Sequence, residues 1–139
     1  MNKFLQLFLF LFVFCVSASS IQAQSEVEFF DGSFEKMTAQ AKTQNKHYMV
    51  FFTKDNCIPC IKMEEDTFTD PTLIKLAKEK LFVFEANMPE TNAMSLAQEY
   101  GITAYPCLLI FSPEGNLTAK LLGFQSPQTL ISITNRLMN

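Results

Sequence analysis

Tryptophan is absent from the 139-residue chain, histidine occurs once, at His47, and the lysines and the lone arginine are scattered rather than massed. With a net charge of −3 and no basic block, the chain has no electrostatic footprint for nucleic acid. No internal repeat, low-complexity linker or charge block divides it, so one domain is expected beyond the leader. Nor does any apolar run reach the roughly 20 residues that a membrane-spanning helix needs. The run Phe4–Val16, broken only by Gln6, comes after Lys3 and is succeeded by the small residues Ser17–Ser20 and then Ala23. This is the make-up of a secretory signal peptide over residues 1–23, cut after Ala23, with residues 24–139 as the mature domain. Lipid attachment at Cys15 is disfavoured by Phe14, which stands where a lipoprotein signal has a small residue. The expectation is a secreted, periplasmic protein with no membrane span once the leader is removed.

The 48% hydrophobic content is ample for a real core. Of four cysteines, Cys57, Cys60 and Cys107 lie beyond the leader. Outside the reducing cytosol two of them can pair, and one is left over. Hydrophobic periodicity alternates along the chain. Phe34, Met37 and Ala41 mark one face of a helix entered at Asp31–Ser33, and "HYMVFF", His47–Phe52, is an apolar run of strand length whose lack of alternation predicts burial on both faces. A helix continues over Ile61–Thr67, and another restarts at Asp70 and Pro71, a capping residue and a first-turn proline. Leu81–Asn87 reads as a strand, Thr91–Tyr100 as a helix stopped by Gly101, "YPCLLIF" and Leu117–Phe124 as strands joined by a tight turn, and Ser126–Pro127 as the start of the last helix. With Val27–Phe30 as a weak first strand, the order is βαβαβαββα. That alternation predicts a three-layer α/β fold with a partly parallel central sheet, an antiparallel hairpin at one edge and helices on both faces.

The chemistry concentrates in "TKDNCIPCIKMEED", Thr53–Asp66. A CxxC between a buried strand and a helix places its first cysteine at the positive end of a helix dipole, where a thiolate is stabilised and its pKa falls below the free value of roughly 8.5. Cys60, one turn on, is placed to resolve a mixed disulfide formed by Cys57. A zinc site built from the three cysteines and His47 is opposed by geometry, because His47 opens the strand whose far end leads to Cys57, roughly 17 Å away at about 3.3 Å per residue. No metal and no cofactor is expected. A purely structural disulfide is the plainer alternative.

"CIPC" after "YMVFFTKDN", together with "YGITAYPCLLIFSPEG", Tyr100–Gly115, resembles the thioredoxin superfamily, its secreted and periplasmic members above all. The resemblance spans about Val27 to Leu137 and implies the thioredoxin fold, a central mixed sheet with helices on both faces. It also implies thiol–disulfide exchange, with Cys57 and Cys60 as the cycling pair and Pro106 as the family's cis-proline. That proline faces the dithiol and, with Tyr105, helps to hold substrate backbone. Partners would be protein disulfides and a thiol–disulfide electron donor, with the protein acting as a monomer. Departures from the family pattern bear on mechanism. Asn56 replaces the tryptophan that precedes the first cysteine, either altering the docking surface or capping the helix, and Phe51 replaces the buried aspartate that serves the resolving thiol, with Glu85 and Lys54 as candidate substitutes. Cys107 stands where thioredoxins have threonine, either as a small buried side chain or as a third redox thiol. Strong oxidants of this fold carry a histidine between the cysteines; Ile58 and Pro59 supply none, so the expected potential lies nearer thioredoxin's roughly −270 mV than the oxidant's roughly −120 mV. The function read here is reduction or exchange of protein disulfides. An isomerase or oxidant is the alternative within enzymes, and a non-catalytic binding module with a structural bridge is the alternative outside them.

Overall fold

The computed structural model describes residues 26–139, and the signal peptide expected over residues 1–23 lies outside them. Helix α1 (Phe34–Gln44) begins where the Ser33 hydroxyl accepts from the Lys36 N–H at 3.2 Å, and ends at Asn45 in the left-handed conformation, φ 52°. It turns Met37 and Ala41 inward. Strand β1 (His47–Lys54) is buried without a break from Tyr48 to Thr53. Helix α2 (Ile58–Lys62) widens into a π-helical turn over Met63–Thr67, closed by the Phe68 N–H reaching back to the Met63 carbonyl at 3.0 Å. Asp70 caps α3 (Pro71–Lys80) by accepting from the N–H groups of Thr72 and Leu73. The remaining elements are β2 (Leu81–Met88), α4 (Thr91–Glu99), β3 (Cys107–Phe111), β4 (Leu117–Leu122) and α5 (Pro127–Leu137).

The four strands form one sheet in the order β2-β1-β3-β4. β1 runs parallel to β2 and antiparallel to β3, and β3 to β4 is the antiparallel hairpin read from the turn at Pro113–Asn116. Period-two alternation sorts the central strands into two cores. Met49, Phe51, Leu108 and Ile110 face a core shared with Cys57, Cys60, Met63, Leu73, Leu76 and Leu130, and so with α2, α3 and α5. Tyr48, Val50, Phe52, Cys107, Leu109 and Phe111 face a second core with Met37, Ala41, Leu96 and Ile102, built on α1 and α4. This is the mixed, helix-covered three-layer sheet expected from the sequence.

Two local expectations are corrected. Val27–Phe30 is not a strand of the sheet: Phe29 makes a single parallel bridge to Val83, and Val27 is instead tied to the Phe68 carbonyl at 2.7 Å. Pairing stops there because the chain turns at Gly32, φ 144°, to reach the Ser33 cap of α1. The helix opens at Ile58, as a CxxC at a helix start predicts, and Pro59 is preset for its first turn. Strand β4 stops at Leu122, where Gly123, φ 78°, turns the chain.

Tyr48, buried and stacked on Phe111 at 4.7 Å, has its phenol pushed up to about 12, chiefly by burial and then by Tyr100 and Glu99. A folded value above the unfolded one of about 10 means that its contribution to stability is intact below pH ~10 and is lost as pH rises towards 12. Urea titrations across that window should show stability falling in the wild type and a flatter profile in Tyr48→Phe. An unchanged slope in the variant would assign the alkaline loss elsewhere.

Candidate active site

Strand β1 delivers the chain to the site. After Lys54, a tight turn through Asp55 and Asn56 leads into Cys57, which is the N-cap residue of α2 and has extended backbone, φ −89° and ψ 97°. Its carbonyl accepts from the N–H groups of Cys60 and Ile61, both at 3.0 Å. Cys57 and Cys60 are joined in a disulfide with Cα atoms 5.2 Å apart, and both are buried, at 5% and 1% exposure. Only a narrow edge of Cys57 is open to solvent, whereas Ile58 beside it is 79% exposed. Pro59 has no N–H and that of Cys60 is already engaged, which leaves the Ile58 amide as the free donor of the first turn.

Asn56 does not cap the helix, a role the N-cap position gives to Cys57; it sits one residue earlier with φ 58°. Asparagine is among the few side chains that tolerate this left-handed geometry, whereas a β-branched or large aromatic residue is disfavoured there. The turn itself therefore accounts for a small polar residue where the family has tryptophan.

The peptide bond Tyr105–Pro106 is cis, and Pro106 is buried directly before β3. The pairing of Phe52 with Cys107 sets Pro106 alongside the end of β1, at the base of the CxxC turn. Tyr105 packs against the core that contains both disulfide cysteines, and the Lys54 ammonium lies 5.4 Å from its ring centroid. A second cis bond, Met88–Pro89, ends β2 at the same end of the sheet, because Met88 is in register with Lys54.

Phe51 occupies a dry aromatic site between Phe29, stacked at 6.2 Å, and Phe68, edge-on at 5.0 Å. Glu85 is its register partner on β2, so its side chain belongs to the same face of the sheet as the disulfide. Burial, and then Glu90, raise its carboxyl above the usual range. Glu64, in the π turn, is raised by burial and then by Glu85, Glu26 and Glu65, so these carboxylates are near neighbours on the β2 flank of α2. His47 stands at the opposite end of β1 from the CxxC, its imidazole lowered by burial against a smaller opposing pull from Glu114.

Cys107 is a free thiol with no exposed surface, and it lies in the other core, across the sheet from Cys57 and Cys60. Burial raises its pKa, only partly offset by Lys120. Sequence reasoning overlooked one part of the site. The corner Leu122–Gln125 is pinned to Pro106 by the Gly123 N–H at 2.8 Å and to the end of the π turn by the Thr67 hydroxyl, which donates to the Gln125 carbonyl at 2.7 Å. It thereby carries the exposed Phe124 ring to within 5.1 Å of the Lys62 ammonium. The signal was a glycine and then an aromatic residue just past a strand, which reads equally well as the strand's continuation.

A disulfide spanning the first turn of a helix, beside a cis-proline that opens the adjoining strand, is the arrangement of a thioredoxin-fold dithiol protein. The description thioredoxin-like domain matches residues 34–137, and the chain belongs to that family. It is 27% identical over 116 residues to the thiol:disulfide interchange protein DsbD of Campylobacter jejuni strain RM1221, covering 81% of this chain and 20% of that one. The chain thus spans about a fifth of the length of the curated relatives it matches. Among solved structures, DsbH oxidoreductase superposes with a TM-score of 0.71 at 20% identity, over 88% of this chain and 92% of that one. The C-terminal domain of Neisseria meningitidis DsbD, in its oxidised form, gives 0.62 at 22% identity over 78% and 98%. No helix among the described residues is long and apolar enough to cross a membrane.

This geometry makes two measurable demands. Asn56→Val should cost about 1–2 kcal/mol in chemical denaturation while Asn56→Gly stays close to wild type, and equal losses would remove the left-handed turn as the reason for asparagine. Native protein treated with iodoacetamide should label Cys107 at least about tenfold more slowly than protein in denaturant, whereas comparable rates would contradict its placement in the sealed core.

Proposed function

We propose that the protein is a secreted, periplasmic thiol–disulfide oxidoreductase that reduces or exchanges disulfides of protein substrates through Cys57 and Cys60, drawing electrons from a thiol–disulfide donor. The observation that carries this reading is the Cys57–Cys60 disulfide at the amino end of α2, with cis Pro106 at its base. In the reduced form, the Cys57 thiolate attacks a substrate disulfide. One sulfur–sulfur bond forms to Cys57 as the substrate's own breaks, and the departing substrate sulfur takes up a proton. The Cys60 thiol then loses its proton and attacks Cys57, expelling the second substrate thiol and regenerating the protein disulfide. Two electrons have passed to the substrate, and a dithiol donor restores them by the reverse sequence.

The helix end favours the sulfur anion on Cys57. Phe51 leaves no carboxylate at the position the family uses to accept the Cys60 proton, so Glu85, on the same face and with raised proton affinity, is the candidate substitute. Tyr105, Pro106 and Asn56 border the cysteines and would hold substrate backbone. Cys107 is a packing residue in this reading, since the sheet separates it from the dithiol. No cofactor takes part.

Insulin reduction with dithiothreitol as electron source tests the proposal. Turnover should be clear in the wild type and fall by on the order of 100-fold or more in Cys57→Ser; a wild type no faster than dithiothreitol alone would favour a binding module with a structural bridge. Equilibration with glutathione should give a potential below the roughly −180 mV of protein disulfide isomerase, and a higher value would make the protein an oxidant or isomerase.

A further inference from the structure

We infer that Asn87 is the polar partner of the resolving thiol: in the reduced protein its Oδ1 accepts a hydrogen bond from the Cys60 S–H. This role rests on the reading of Cys57 and Cys60 as an exchange dithiol, and it adds a residue that sets the balance between disulfide and dithiol.

Asn87 lies one residue from the carboxyl end of β2, in register with the buried Thr53 of β1. Side chains alternate along a strand, so Asn87 shares a face with Val83 and Glu85, and Val83 packs in the core that contains both cysteines. The Asn87 backbone carbonyl accepts from the Glu90 N–H at 3.0 Å. Its side-chain Oδ1 is sealed from solvent and has no hydrogen-bond partner among the described residues. An amide oxygen buried without a donor is unfavourable, and asparagine is poorly suited to a strand. Neither packing nor strand propensity therefore accounts for this residue.

The path of α2 brings Cys60 to that oxygen. The helix leaves the carboxyl end of β1 and runs back along the sheet, because the Glu64 carboxyl in its π turn is raised by burial and then by the charge of Glu85, which is in register with Phe51, three residues before the end of β1. Cys60 precedes Glu64 by four residues, on the same helical face and about 6 Å nearer the end of the sheet at 1.5 Å per residue. Asn87 follows Glu85 by two residues, on the same strand face and about 6.6 Å nearer that end. The two steps match, so Cys60 faces Asn87 as Glu64 faces Glu85.

In the disulfide neither sulfur carries a hydrogen, and the Asn87 oxygen has nothing to accept. Reduction by two glutathione thiols breaks the Cys57–Cys60 bond, forms glutathione disulfide and leaves Cys60 protonated. At 1% exposure, that thiol needs an acceptor that solvent does not supply, and the Phe51 ring in the same core offers none. One oxygen is thus unsatisfied in the oxidised form and satisfied in the reduced form, which draws the couple towards the dithiol. A carboxamide does not take up the proton. It favours the neutral thiol, so Cys60 keeps its hydrogen while Cys57 carries the charge.

Equilibration with glutathione reads this balance. Asn87→Leu removes the orphaned oxygen from the disulfide form and the acceptor from the dithiol form, so the equilibrium should move about tenfold towards the disulfide, a potential about 30 mV more negative. A purely structural Asn87 would alter the stability of both forms alike. An unchanged constant, or one moved towards the dithiol, would overturn the inference. Urea titrations of the oxidised and reduced proteins should show the same tenfold preference of Asn87→Leu for its oxidised form, and equal changes in the two forms refute it. The infrared S–H stretch gives a reading with Asn87 in place. In the Cys57→Ser protein, the band that disappears on adding Cys60→Ser should lie below that of a thiol free of hydrogen bonds, and should rise when Asn87→Leu, or Asn87→Ala if the leucine variant does not fold, is added instead. A band at the free-thiol position, or one that the Asn87 variant leaves in place, refutes the hydrogen bond. A disulfide that glutathione does not reduce would count against the exchange reading alone; the Cys57→Ser protein carries the Cys60 thiol without any redox step, and its S–H band then decides the role of Asn87.

Discussion

Strand β1 is covered on both faces and hydrogen-bonded along both edges, and the CxxC springs directly from its carboxyl end. That double burial is the constraint on which the remaining architecture depends. A strand whose six consecutive residues Tyr48–Thr53 all leave solvent must have helices above and below, a partner strand on each side, and an exit where the chain regains the surface. Phe51 and Phe52, both without exposed surface, point into opposite cores and hold the two helical layers in fixed relation to the sheet. The exit is therefore a rigid platform, and the residues leaving it are presented in one orientation.

The chain leaves this platform through a turn that only a residue tolerant of positive φ accepts easily, a cysteine with extended backbone, and a helix whose first turn contains proline. None of these features is reactive alone. Together they set Cys57 at a helix end with Cys60 one turn away, and the β1–β3 register brings Pro106 to their base. The aromatic packing of Phe51 against Phe29 and Phe68 keeps the floor of this arrangement dry. On the β2 flank, Glu85 shares the register of Phe51, and its charge helps to raise the Glu64 carboxyl above the usual range.

Much of this was legible in the residues. The unalternating run at His47–Phe52 announced a doubly buried strand, and Asp70–Pro71 and Ser126–Pro127 marked helix starts that the caps bear out. The turn at Pro113–Asn116 foretold the hairpin. The first strand failed because its four residues are long enough for a strand pattern, but Val27 is tied to Phe68 and only the Phe29–Phe30 end reaches Val83, a competition decided by distant partners. The π-helical turn had no signature, since a change from i−4 to i−5 pairing alters no residue pattern. Asn56 suits a cap by residue type, yet its φ is a backbone property that composition does not report.

Local pattern alone determined the layer architecture and the positions of Cys57 and Cys60, because hydrophobic period, capping residues and a three-residue cysteine spacing act over a few neighbouring residues. Which face of the sheet each side chain joins across strands, and which distant corner is pinned to Pro106 and to the end of the π turn, was decided by tertiary structure. Cys107 and Leu108 are adjacent in the chain yet lie in different cores, and Phe124 meets Lys62, 62 positions earlier in the chain (124 − 62), only because Gly123 and Gln125 are pinned to Pro106 and Thr67. Such contacts depend on strand register and on the closure of long loops, neither of which any short stretch of residues specifies.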